Sequence, residues 1–413
     1  MEFYDGQEFE GSPIETKNLE GGKFWALGGF GLDIVSTAKK PSLSVRFSGI
    51  LKPEINGEYD FEIFSIGPSR LSIDDEDLID NWSSQEPGDA FFGMGSKAKR
   101  GQKKLEAGNE YSIQIEYKWE GRFPAVQIGM LAPDKHDLME AAVSLAHESD
   151  ATILIVGTNS DWETEGNDRD SLQLPLRQNE LIKKVCEANK NTVVVLNTGS
   201  PCEMPWNEEA QAILQCWFPG QEFGNSLADI IFGHVNPSGK LPTTFPVKLE
   251  DTPAFKTYPG KDLQMDYDEG LYIGYRWYEK EKIAPLYPFG HGLSYTSFEY
   301  SNFRAIPPKG ASSVASFEVE ITNIGNEQGK EVVQCYSSVQ NSKIDRPLKE
   351  LKKFKKVDLA PGESKKIIFE VNERDLSYWN EETQTWQVEP AQYIFELGSS
   401  SEDIRGSAEV WLG

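Results

Sequence analysis

The period of the hydrophobic pattern changes twice along the chain, and these two changes restrict the fold more than any single motif. Up to about residue 133, apolar and polar residues alternate in short runs: SLSVRFSGILK (42–52), GEYDFEIFSI (57–66), SRLSIDDEDLIDNW (69–82), NEYSIQIEYKW (109–119) and AVQIGMLA (125–132), separated by Gly, Pro and Asn. Alternation at period two between turn residues predicts half-buried strands, and several at this spacing predict a β-sandwich. From Asp134 the spacing becomes helical, with Leu138, Ala141, Ala142, Leu145 and Ala146 on one side. This helix feeds the continuous apolar run Thr152 to Val156, which ends at Gly157. Such a run reads as a strand buried on both faces. A helix after Pro175 turns Leu181, Ile182 and Val185 inward, TVVVLNTG (192–199) and AILQCWF (212–218) are the next strands, and a helix carrying Leu227, Ile230 and Ile231 follows. Strand and helix in alternation give a parallel sheet with helices on its faces. From about 297, period two returns in 315–338, 348–371, 384–400 and 407–413. The fold class is multidomain α/β plus all-β: a β-sandwich over 1–133, an α/β sandwich with a mostly parallel sheet over 134–296, and a second β-sandwich over 297–413.

Charge narrows the partners. The 413 residues carry a formal net charge of -25, which opposes nucleic acid and anionic membranes, since phosphate binding needs Lys and Arg in excess. The lysines of 349–356 alternate with Leu351 and Phe354 and read as the wet side of an edge strand. Apolar runs long enough to span a membrane are absent, and MEFYDGQEFEG has neither a basic region nor an apolar core. Cys186, Cys202, Cys216 and Cys335 have no metal-ligand spacing, and three lie in or beside core-like segments. The expectation is a reducing, cytoplasmic setting rather than secretion, with no cofactor and no metal. The sequon Asn81-Trp82-Ser83 would be a glycosylation acceptor only in a secreted protein.

Beyond the strand ending at Gly157 lies the loop with the most chemistry. Asp161, Glu163, Glu165, Asp168 and Asp170 crowd around Trp162, and in open α/β sheets ligands sit in the loops beyond the carboxyl ends of strands. Glycoside hydrolysis needs one carboxylic acid to protonate the leaving oxygen and a second carboxylate to support the oxocarbenium-like centre. Glu163, flanked by Trp162 and close to Asp161 and Glu165, has the like charges and apolar contact that suit an acid. A solvated acidic loop is the competing reading in so acidic a chain. Gly199-Ser200-Pro201 and Pro219-Gly220-Gln221-Glu222 lie on the same edge; Glu222 reads as a residue favouring a helix dipole. The aromatics Tyr267, Tyr272, Tyr275, Trp277 and Tyr278 fit packing between domains better than sugar stacking.

The run WETEGNDRDSLQLP resembles the acid/base loop of family 3 glycoside hydrolases, the β-glucosidase family. WFPGQEFGNSLADIIFGHVNPSGKLPTTFP (217–246), YDEGLYIGYRWYEK (267–280) and PLYPFGHGLSYTSFEY (285–300) agree in wording and order. VEITNIGNEQGKEVVQCY is similar to the family's fibronectin III-like domain, and GEYDFEIFSIGPSRLSIDDEDLIDNW with LEAGNEYSIQIEY resembles a PA14 domain. Some PA14 domains hold calcium by aspartates before the "RL" strand; here that loop is Gly67-Pro68-Ser69, while Asp74 and Asp75 lie further on and read as a turn. The resemblance implies a retaining β-glucosidase acting on β-glucosides or oligosaccharides, with Glu163 favoured as acid/base, Glu165 as second choice, and Trp162 and Asp161 beside the sugar. Glu163 is favoured because it follows Trp162, whereas Glu165 adjoins mobile Gly166; Asp168 and Arg169 read as an internal ion pair.

In the family a TIM barrel supplies the nucleophile, and no segment here resembles it. The chain is therefore expected to carry only the acid/base half, as a fragment or as one half of a split enzyme with a barrel partner. The alternative from another class is a non-catalytic carbohydrate-binding or scaffold protein derived from such an enzyme. The open sheet edge also implies self-association.

Overall fold

The computed structural model describes residues 1–6, 8–18, 23–25, 42–88, 90–120, 124–133, 138–159, 162–165, 168–308, 310 and 312–413. They fall into two compact units, one of Met1–Ala142 with Glu165–Asn167, the other of Val143–Thr164 with Asp168–Gly413.

The first unit is an antiparallel β-sandwich. One sheet runs in the order Glu15–Thr16, Glu2–Asp5, Ser42–Leu51, Tyr111–Glu120, Ser69–Ile73, Glu76–Asn81, and the other Lys23–Trp25, Ala125–Leu131, Gly57–Ile66, Lys99–Leu105. Alternate residues of Gly57–Ile66 and Ser42–Leu51 point inward, so Tyr59, Phe61, Ile63, Leu43, Val45 and Phe47 meet Leu71, Ile79 and Tyr117 in one core. Asp74 and Asp75, both at positive φ, close the Ser69–Ile73/Glu76–Asn81 hairpin. Short polar side chains tolerate this conformation best after glycine. Asp74 also accepts the Ser112 amide at 2.8 Å. The Asn81 of the sequon is fully buried, and its side-chain amide donates to the hydroxyls of Ser65, Ser69 and Ser96. It is a core residue, not a glycan acceptor.

In the second unit three parallel strands run in the order Thr152–Gly157, Thr192–Asn197, Ala212–Gln215, with Thr152 opposite Thr192 and Val193 opposite Ala212. The middle strand buries Val194, Val195 and Leu196 completely. The first strand lies at the sheet edge, and Ile153 and Ile155 are 48% and 53% exposed. A strand buried on both faces is what its composition implies, so the correction is that one face has no cover among the described residues. The helix Leu138–Glu148 shows the same effect. Its period is as read, but Met139 and Ala146 are its buried residues, and Leu138 and Leu145 stand exposed. The helix Gln178–Ala188 buries Ile182, Val185 and Cys186.

The carboxyl-terminal sandwich packs Phe298–Ile306, Ser313–Asn323 and Ser364–Asn372 against Glu350–Leu359, Gly329–Val339, Ala391–Gly398 and Ile404–Leu412. Phe317 and Phe395 meet at its centre, 4.3 Å between ring centroids. It is tied to the parallel-sheet part by buried polar contacts. The Tyr275 hydroxyl accepts the Leu351 amide at 2.8 Å, Lys349 pairs with Glu279 at 3.0 Å, and Lys240 with Glu331 at 3.4 Å. Tyr275 and Tyr278 are thus packing residues, while Tyr267 is exposed. The lysine-rich strand Glu350–Leu359 is an edge strand, with Lys353 paired to Asp375 at 2.7 Å.

Candidate active site

The acidic loop starts where two strands come too close for a side chain. A Cβ on Gly157 would lie 2.0 Å from the Asn197 carbonyl oxygen. Gln178 then fastens this strand end to the following helix, accepting the Gly157 amide at 2.7 Å and donating to its carbonyl at 2.8 Å. The amides of Trp162 and Glu163 both donate to the Asn159 carbonyl, at 3.0 and 2.9 Å. That turn sends Glu163 back toward the sheet.

Glu163 is held there by its Oε1. It accepts the Thr158 hydroxyl at 2.6 Å and the Gly199 amide at 3.0 Å, and Arg169 Nη1 stands 3.9 Å away. Both side chains are only 15% exposed. Arg169 Nη1 in turn donates to the Ser200 hydroxyl at 2.6 Å. Glu163 and Arg169 are thereby fastened to the same Gly199-Ser200 turn beyond the second strand. The fit is tight: a Cβ on Gly199 would meet Glu163 Oε2 at 2.4 Å and the Phe218 ring at 2.5 Å. Arg169 Nε and Nη2 and Trp162 Nε1 are buried without a hydrogen-bond partner among the described residues.

Asp168 and Arg169 do not pair with each other. Asp168 takes the hydroxyl of Tyr258, whose phenol pKa that bond raises, and Arg169 serves Glu163 and Ser200. Glu165 is exposed and makes no hydrogen bond or ion pair with another described residue. Asp161 lies outside the described residues. Glu222, exposed at the start of the helix Phe223–Ile231, accepts the Asn225 side-chain amide at 2.7 Å. Thr158, Gly199 and Ser200 carry roles that residue type alone does not announce. The one signal for Gly199 is its position immediately past a strand.

Among the described residues no group of three or more His, Cys, Asp or Glu side chains could hold a metal ion. The arrangement is one carboxylate locked into the sheet end and another left free two residues later, on a loop of the kind that meets ligands.

A parallel-sheet domain with an acidic loop beyond its strands, joined to a fibronectin-like sandwich, is the carboxyl-terminal architecture of a class of glycoside hydrolases. Residues 62–295 match the glycosyl hydrolase family 3 C-terminal domain and residues 331–401 the fibronectin type III-like domain. The chain belongs to glycosyl hydrolase family 3. It is 36% identical to a beta-glucosidase of Rhizobium radiobacter, over 100% of this chain and 51% of that protein. It is 41% identical to a beta-glucosidase of Kluyveromyces marxianus, over 89% and 44%. The crystal structure of the Kluyveromyces marxianus beta-glucosidase in complex with glucose superposes with a TM-score of 0.89 at 36% identity, covering 100% of this chain and 49% of that one. The beta-glucosidase DesR from Streptomyces venezuelae, in complex with D-glucose, gives 0.66 at 34% identity over 89% and 46%. The chain spans about half the length of the curated relatives it matches.

Proposed function

We propose that this chain is the acid/base half of a retaining β-glucosidase, completed by a TIM-barrel half that supplies the nucleophile. The observation that carries the reading is Glu163, fastened beside Arg169 to the Gly199-Ser200 turn at the carboxyl end of the parallel sheet, within the acidic segment whose sequence also contains Glu165. Retaining hydrolysis sets two carboxylates about 5–5.5 Å apart, and only one of the two belongs to this chain.

The geometry supports the opposite order of preference to the one the sequence suggests. Glu163 Oε1 is occupied by two donors and faces a guanidinium, so reaching a glycosidic oxygen would break contacts that hold the loop. Glu165 has no such ties among the described residues and is the proposed proton donor; Glu163 is the proposed anchor, and Trp162 and Asp161 are proposed sugar contacts. The amino-terminal sandwich is proposed as a PA14-like domain over 1–133, followed by an α/β sandwich over 134–296 and a fibronectin III-like domain over 297–413. Four unpaired cysteines support a reducing, cytoplasmic setting.

Uncovered apolar surface supports a partner half. Ile153 and Ile155 lie bare on the edge strand, and Phe232, Leu293 and Tyr295 are exposed, with the Tyr295 hydroxyl bonded to the Ile230 carbonyl close by. Soluble monomers rarely expose such patches unless they bind something. The test is complementation. The chain alone should not turn over an aryl β-glucoside, because general acid assistance by itself contributes only about 10²–10⁴-fold. Joined to the barrel half of a family 3 relative it should. Burst kinetics from the isolated chain, or no activity from any joined form that folds, would overturn the reading.

A further inference from the structure

The third strand of the parallel sheet ends in a backbone conformation that a large side chain seldom takes. Trp217 stands at φ 56°, in the left-handed region where a bulky residue is a rare outlier. It is held there from both sides. Before it, the Cys216 amide donates to the Leu196 carbonyl at 2.9 Å and keeps the strand beside its neighbour. Its own indole packs against Phe245, with ring centroids 6.1 Å apart, on the core beneath the sheet. Strain of this kind persists only where the surroundings fix it, and it collects at sites that meet ligands.

The consequence of that turn is the position of Phe218. With the Trp217 indole drawn to the core, Phe218 is turned outward and is 54% exposed. Its ring comes to rest on Gly199: a methyl group there would meet both Phe218, at Cε2 and Cδ2, and Glu163, at Oε2. The ring and the carboxylate thus converge on one methyl-sized space at the carboxyl end of the sheet. Around it Thr158 is bonded to Glu163, and Arg169 to Ser200, so the polar side chains are taken up with one another while the ring makes no contact with another described aromatic residue. An exposed apolar ring beside a few fixed polar groups, beyond the ends of parallel strands, is the composition and the place of a ligand site.

Which part of a substrate would reach this ring follows from the reaction, and this step rests on the proposed reading of the acidic loop as the acid/base half. In retaining hydrolysis the nucleophile attacks the anomeric carbon from the face opposite the leaving group, and the proton donor stands on the leaving-group side. The nucleophile is assigned to the barrel half. Side chains gathered at the anchor of the acidic loop therefore face the leaving group, whichever glutamate of that loop transfers the proton.

We propose that Phe218 is a specificity-determining residue of the leaving-group site, where its exposed ring takes a planar, apolar aglycone in preference to a small one. The test measures binding rather than turnover, which separates it from the assignment of the proton donor. This chain, joined to the barrel half of a family 3 relative, is titrated by calorimetry with phenyl β-thioglucoside and with methyl β-thioglucoside, whose carbon–sulfur bonds resist hydrolysis. The phenyl ligand should bind more tightly. Phe218→Ala should weaken it about threefold to tenfold, the loss of one aromatic pair, and leave the methyl ligand unchanged, while Phe218→Tyr should keep the preference. Thermal melts check that each variant is folded, as expected where an exposed ring is removed. Turnover of an aryl O-glucoside by the same joined protein tests the acid/base reading separately: its absence with the phenyl preference intact strikes that reading and not this one. Equal weakening of both thioglucosides in Phe218→Ala, no weakening of either, or failure of the joined protein to bind either ligand overturns the proposal.

Discussion

Gly199→Ala tests the anchoring of the acidic loop most severely. The backbone conformation of Gly199 is open to any residue, because its φ is not in the left-handed region; the obstacle is space. The new methyl would sit 2.4 Å from Glu163 Oε2 and 2.5 Å from Phe218. Phe218 is half-exposed and can swing outward, but Glu163 can move only by giving up its bonds to Thr158 and to Gly199 itself. Overpacking of this kind costs about 1–3 kcal/mol, which for a unit of this size lowers Tm by about 2–5 °C. Glu163→Ala loses the same bonds but removes the obstacle. In the double variant the methyl should therefore cost little, giving a coupling of about 1 kcal/mol or more between the two sites. Thermal melts of the four proteins, followed by tryptophan fluorescence, measure it. A Gly199→Ala melt identical to wild type, or strict additivity of the two changes, would refute the claim that Glu163 is locked against this turn.

Three further outcomes follow from the same structure. Burial raises the thiol pKa of Cys202 and Cys335 to about 12 and also raises those of Cys186 and Cys216; a thiol-specific reagent at pH 8 should react slowly with the native chain and quickly with four thiols after unfolding. Asp80, bonded by Ser83 and the Trp82 amide, has its pKa lowered from 3.8 to about 2. Its contribution to folding is complete above its unfolded pKa and lost as pH falls toward 2, so Asp80→Asn should flatten the acid limb of the amino-terminal unit's stability curve between those values. The bare edge strand with Ile153 and Ile155 should make the isolated chain self-associate with rising concentration; light scattering that reports a monomer throughout would contradict this.

Period and turn chemistry made most of the elements legible. The strands at 57–66 and 192–197 fall where alternation and apolar runs place them. Lys99–Leu105 does not announce itself, because KRGQKKL turns only Leu105 fully inward and has no alternating apolar face to detect. Ile153, Ile155, Leu138 and Leu145 mislead for the opposite reason: their composition reflects burial that the described chain does not provide. Asn81 reads as a surface sequon because a triplet carries no information about depth. In the acidic loop the sequence points to a segment but not to the direction of each side chain. Glu163 and Glu165 are chemically alike, and what separates them is a hydroxyl five residues back and an amide 36 residues on. Contacts of that second kind leave no local pattern.

The central claim is that Glu165 transfers the proton while Glu163 anchors the loop, and azide rescue in a barrel-joined enzyme tests it most directly. Glu165→Ala should depress turnover of a glucoside with a poor leaving group far more than one with an activated aryl group, which departs without protonation. Azide should restore part of that activity, since a small anion can attack the glycosyl intermediate without a general base. Glu163→Ala should depress both substrates alike and gain nothing from azide, as a loop-shaping residue does. Leaving-group dependence and azide rescue in Glu163→Ala, with neither in Glu165→Ala, would contradict the account and exchange the two roles.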